Sequence, residues 1–97
     1  MRQSYSDYGL SEERAKSLLK ECKCGKHREL VQKSAHMAAP DIEEYIIKSM
    51  TENRSYDKLE FDRALGRIAC GRTDFYSYRR YTLAILNSLL ILERDVV

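Results

Sequence analysis

At 97 residues the chain fits one domain with one core, and it buries only about 60 to 65% of the surface its unfolded form exposes, so its stability has little slack. A composition of 43% hydrophobic and 33% charged residues, with four glycines and a single proline, excludes disordered, collagen-like and linker-like chains and permits long helices. The formal charge of +2 is too near neutral to indicate a nucleic-acid partner unless the arrangement of the charges does so.

Residues 1–10 read MRQSYSDYGL and show no periodicity. They are read as an N-terminal arm, with Tyr5 and Tyr8 available to staple it to the rest. No basic start followed by an apolar run and a small-residue cleavage site is present there, so a cytoplasmic protein is expected. Ser11 is a candidate N-cap, with Glu12 and Glu13 suiting the first turn of a helix. Ala15, Leu18, Leu19 and Cys22 recur at helical spacing, and Gly25 ends the run.

A second helix is expected from about Lys26 to Met37, with Leu30 and Val31 inward and Ser34 and Met37 as further candidates for that face. It stops before Pro40, because residues preceding proline avoid the α region. The same proline starts a third helix, whose dipole Asp41, Glu43 and Glu44 complement and whose apolar face is Ile42, Tyr45, Ile46, Ser49 and Met50. Ser55 or Asp57 can cap a fourth helix carrying Leu59, Phe61, Leu65 and Ile68, with Gly66 and Gly71 bracketing the following connection. Thr73 is expected to be the N-cap of the last helix, which continues to about Arg94. Phe75, Tyr78, Thr82, Leu86 and Leu89 or Leu90 form its inner side. The fold class is therefore all-α, a small four- or five-helix bundle forming a single domain over residues 1–97.

Charge is segregated along this order. Residues 11–37 hold seven Lys or Arg against four acids, residues 41–62 three against seven, and residues 63–81 five Arg against one Asp. The stretch from Tyr56 to Leu86 has the layout of a helix-turn-helix unit, here placed over residues 55–94, in which a second helix offers cations from its first turns while the preceding helix holds its other side. At 100° per residue Arg72, Tyr76, Arg80 and Asn87 share one arc and Arg79 borders it, so this side is expected to face solvent. Arginine forks onto phosphate or guanine, and Tyr76, Ser77 and Thr73 suit phosphate oxygens, with Arg63 and Arg67 adding backbone contacts. The lysine-rich set Lys20, Lys23, Lys26, Arg28 and Lys33 is either a second phosphate surface or a solvated face.

The run Gly71, Arg72, Thr73, Asp74, Phe75, Tyr76, followed by Arg79, Arg80, Leu83 and Leu86, resembles the phage late-transcription regulators related to sigma-like helix-turn-helix proteins. The resemblance covers roughly the last 40 residues. It implies a DNA-binding transcriptional regulator of phage or mobile-element origin, with double-stranded DNA as partner.

The second half of the last helix, LAILNSLLIL, is apolar around most of its circumference, more than one face of a small bundle requires. Ile85, Leu89 and Leu92 are the expected interface residues of a homodimer or of another protein partner. The alternative function is accordingly a small protein-interaction module, or an inhibitor of a host protein, without DNA contact. Interrupted by Asn87 and Ser88, the apolar stretch Leu83 to Leu92 is shorter than the roughly 20 residues that cross a bilayer, so no membrane partner is expected.

Cys22, Cys24, His27 and His36 are chemically suitable zinc ligands, but Cys22 and Cys24 diverge by about 200° around a helix, so no metal is assigned and the thiols are expected to be reduced. No nucleophile-and-base spacing or phosphate-binding glycine loop occurs, and the chain is expected to be non-enzymatic and without a cofactor.

Overall fold

The computed structural model describes residues 10–52, 54–60, 68 and 70–95. The arm with Tyr5 and Tyr8, and the stretch holding Phe61, Arg63, Leu65, Gly66 and Arg67, lie outside them. The described part is a small all-α bundle. Its helices are α1 (Glu12–Lys23), α2 (Arg28–Ala38), α3 (Glu43–Thr51), α4 (Tyr56–Glu60) and α5 (Arg72–Asp95), with one 3-10 turn, Pro40–Ile42, between α2 and α3. None of the described helices is long and apolar enough to cross a membrane.

Local chemistry explains most boundaries. The Ser11 side chain accepts from the Arg14 N–H at 3.1 Å, satisfying one of the donors that a helix start leaves open. At the other end of α1 the Gly25 N–H donates to the Cys22 carbonyl and the Lys26 N–H to the Glu21 carbonyl, each at 3.0 Å. Gly25 has φ +88°, a left-handed conformation that costs a residue without a Cβ nothing. His27 is left-handed as well, φ 60°, so α2 starts at Arg28 rather than at Lys26. Reversing the chain in so few residues needs two left-handed positions, and neither can belong to a right-handed helix. Ser55 caps α4, its Oγ accepting from the Lys58 N–H at 3.4 Å.

The expected cap of the last helix is corrected. Helix α5 starts at Arg72, and the Phe75 N–H donates to the Gly71 carbonyl at 2.9 Å. Gly71 therefore occupies the cap position, and Thr73 lies exposed within the first turn.

The core gathers one side of every helix around α5. Leu18, Cys22, Val31, Ile46, Met50, Leu59, Phe75, Leu83 and Leu86 are all essentially inaccessible. Helix α2 makes the most extensive contact with α5. It presents the small residues Ser34 and Ala35 among its buried positions, which permits close approach of the two backbones. Buried hydroxyls are satisfied locally: Ser34 Oγ donates to the Leu30 carbonyl at 2.7 Å and Thr82 Oγ1 to the Tyr78 carbonyl at 2.8 Å.

Candidate interaction surface

The start of α5 is tied to α4 by an aromatic knot. The backbone N–H of Tyr56 donates to the Tyr76 hydroxyl at 3.1 Å, and the Tyr56 hydroxyl donates to the Cys70 carbonyl at 2.9 Å. The rings of Tyr56 and Phe75 lie 5.5 Å apart at a tilt of 60°, a spacing at which the edge of one ring meets the negative face of the other. Arg72 packs over the Tyr56 ring at 5.9 Å and pairs with the exposed Asp57 carboxylate.

Tyr76 and Arg79, expected on an open cationic side, are turned towards the bundle. Arg79 lies 5.0 Å above the Tyr76 ring, and its Nη1 donates to Ser49 Oγ of α3 at 3.0 Å. Ser49 in turn donates to the Arg54 carbonyl at 2.7 Å. The Arg79 Nε is buried without a hydrogen-bond partner among the described residues. Arg79 thus links α5 to the end of α3. Arg80 and Ser77 are half-buried, and Asn87 accepts from Arg14 Nε at 3.0 Å, joining α5 to α1. Of the described residues expected to contact DNA, Arg72 and Thr73 are the exposed ones, and Arg72 is engaged with Asp57 and Tyr56. Arg63 and Arg67 lie outside the described residues.

Tyr78, expected inward, is 40% exposed. The side of α5 left uncovered is the apolar one. Tyr78, Tyr81, Ile85, Ser88 and Leu92 follow one another at alternating spacings of three and four and so run along a single side of the helix. Tyr81 is 42% exposed and Leu92 59%, and beside them Ile91 is 49% exposed. Ile85 and Leu89, the other two expected interface residues, are half-buried. From Tyr81 to Leu92 there is no charged residue, in a chain that is one-third charged. Leu92, expected at an interface, is exposed, and so are Tyr78, Tyr81 and Ile91, which the sequence reading did not place on an open side. The three-four spacing running back from Leu92 was the signal that could have found Tyr78 and Tyr81; Ile91 lies beside that row.

The lysine-rich segment occupies a different surface. Lys20, Lys23, Lys26, Arg28 and Lys33 are all exposed on α1, α2 and their turn. Some of them border a cleft of about 440 Å³, whose lining includes Lys23, Lys26, Arg28, Gln32, Thr51 and Glu52. Glu52 pairs with Arg54 at 3.3 Å.

The cysteines and histidines are dispersed. Cys22 is buried and Cys24 exposed, His27 Nε2 lies 3.5 Å from Glu21 Oε1, and His36 Nδ1 lies 3.2 Å from Glu43 Oε1. Among the described residues no group of three or more His, Cys, Asp or Glu is placed to hold a metal ion. Burial, reinforced by the neighbouring Glu21 carboxylate, pushes the Cys22 thiol up to about 11. Burial and then Asp74 also raise the Cys70 thiol.

No protein-family model, curated protein or solved structure matches the chain.

Proposed function

We propose that this protein is a small helical interaction module that binds another helix along the open side of α5. The observation that carries this reading is the row Tyr78, Tyr81, Ile85, Ser88 and Leu92, exposed or half-exposed and flanked by no charge between Tyr81 and Leu92. A side facing only water gains nothing from losing its charges, whereas one that pairs with a helix must shed water and avoids burying them. Covering a fully exposed leucine contributes about 1.5 to 3 kcal/mol, so a few such residues suffice to hold a partner of moderate affinity.

Duplex DNA is the second reading. It draws on the exposed Arg72 and Thr73 at the start of α5 and on the exposed lysines of α1 and α2. The inward placement of Tyr76 and Arg79 weighs against it, since both are committed to α3 and α4.

Two measurements separate the readings. Affinity capture from a cell extract is expected to retain a partner with the native chain and lose it with Leu92→Glu. A salt titration on random duplex is expected to give background binding only. Affinity that falls steeply with salt and drops further with Arg72→Ala would favour the regulator instead. Arg72 is the residue to neutralise, because removing Arg79 would also cut the bond to Ser49.

A further inference from the structure

We infer that the cleft between the α1–α2 turn and the end of α3 binds a small phosphomonoester, its phosphate held by Lys23, Lys26 and Arg28. The cleft measures about 440 Å³, inside the roughly 300 to 1,000 Å³ of small-molecule sites. None of its lining residues belongs to α5, so this site stands or falls independently of the open side of that helix.

The chain reversal after α1 gathers like charge. Lys23 ends α1, Lys26 lies in the turn and Arg28 opens α2, and all three line the cleft. Among the described residues no carboxylate pairs with any of them, whereas Glu21 faces Arg14 and His27, and Glu52 pairs with Arg54. Cations left unneutralised around a concave surface focus a positive potential into it, which the same cations spread over a convex face do not. His27, at the cap position of α2, makes no capping hydrogen bond. The open N–H groups and positive dipole end of that helix therefore add to the same potential.

The α3 wall sets the rest of the ligand. Thr51 Oγ1 already donates to the Ile47 carbonyl at 2.8 Å, which leaves it an acceptor, and the Glu52 carboxylate accepts only. This wall suits hydroxyl or amino donors and repels a second negative group. A single phosphate on a donor-bearing body, as in a sugar phosphate or a mononucleotide, meets both walls. A nucleic-acid backbone repeats its charge along its length and would bring phosphates towards Glu52.

Amide chemical shifts of the full chain, followed by NMR during titration with adenosine monophosphate, ribose phosphate, adenosine and inorganic phosphate in turn, test the site. Both phosphomonoesters are expected to shift Gly25, Arg28 and Thr51 with Kd below about 1 mM, and adenosine to leave them unmoved. Tighter binding of adenosine monophosphate than of ribose phosphate assigns a nucleotide; equal binding assigns a sugar phosphate. Lys26→Gln and Arg28→Gln are each expected to weaken binding by about tenfold, the loss of one charge-assisted hydrogen bond. Helical circular dichroism should not change, because both positions are exposed. Equal responses to inorganic phosphate and both esters, insensitive to either substitution, would mean an adventitious ion only and overturn the site. Unmoved shifts at the highest concentration would overturn it as well. A random duplex that displaces adenosine monophosphate and binds more tightly through the same cations would overturn it in favour of a nucleic-acid surface.

Discussion

Cys22 shows how burial alters a single residue's chemistry. The thiol keeps its proton to about pH 11 in the folded chain, against 9.0 when unperturbed. Between those values the unfolded state binds fewer protons than the folded one, so this contribution to stability is complete below about pH 9 and is lost as the pH rises towards 11. Urea midpoints measured across that interval should decline more steeply for the native chain than for Cys22→Ala. A neutral-pH alkylation time course should label Cys24 quickly and Cys22 only on unfolding, since a protonated, enclosed thiol is a poor nucleophile.

Tyr76 and Arg79 raise a related point. In the sequence they look like a nucleic-acid contact; in the fold they join α5 to α4 and α3. Tyr76→Phe keeps the ring under the Arg79 guanidinium but removes the acceptor for the Tyr56 N–H. Its expected cost is about 1 kcal/mol, with more if the stranded donor stays dry. Chemical denaturation gives the value, and an unchanged midpoint would mean that water replaces the lost acceptor.

Among the elements, α1 and its exit were the most legible, because the signals there are local. Ser11, Glu12 and Glu13 read as a helix start and form one, as does Gly25 as a stop. Ser11→Ala should cost about 1 kcal/mol, the loss of one capping bond. Gly25→Ala should cost about the same for a different reason. The space around a Cβ at Gly25 is empty, so the penalty is the left-handed backbone rather than a clash. Thermal denaturation of the two single variants and the double should give additive losses only if the two ends of α1 act independently. The onset of α2 was misplaced because left-handed backbone is uncommon at any residue other than glycine, and the sequence around His27 was not read for it. Thr73 was taken as a cap on residue type alone, while the ion pair of Arg72 with Asp57 and its packing on Tyr56 accompany a helix start two residues further back.

For the molecule as a whole, the contrast between the two sides of α5 can be measured. Leu86 is inaccessible and Leu92 largely exposed. Leu86→Ala is expected to lose about 2 to 5 kcal/mol, a large share of what so small a domain has. Leu92→Ala should stay within about 0.5 kcal/mol when measured in the dilute, unassociated chain. Comparable losses at both positions would mean that Leu92 is already covered within one chain.

Periodicity and composition determined the helical class, the apolar face of α3 at Tyr45, Ile46, Ser49 and Met50 with Ile42 in the turn before it, and which residues of α5 share a side. Those features follow from residue spacing along one helix, and no neighbour is needed to define them. Which side of α5 stays open was decided only in three dimensions. Helices α3 and α4 close over Tyr76 and Arg79, where the Ser49 hydroxyl and the Tyr76 ring receive the cation, and Tyr78, Tyr81 and Leu92 stay partly exposed. A helical wheel orders residues around an axis but carries no information on where the other helices lie, so polarity alone assigned the cationic side to solvent and packing assigned it to the bundle.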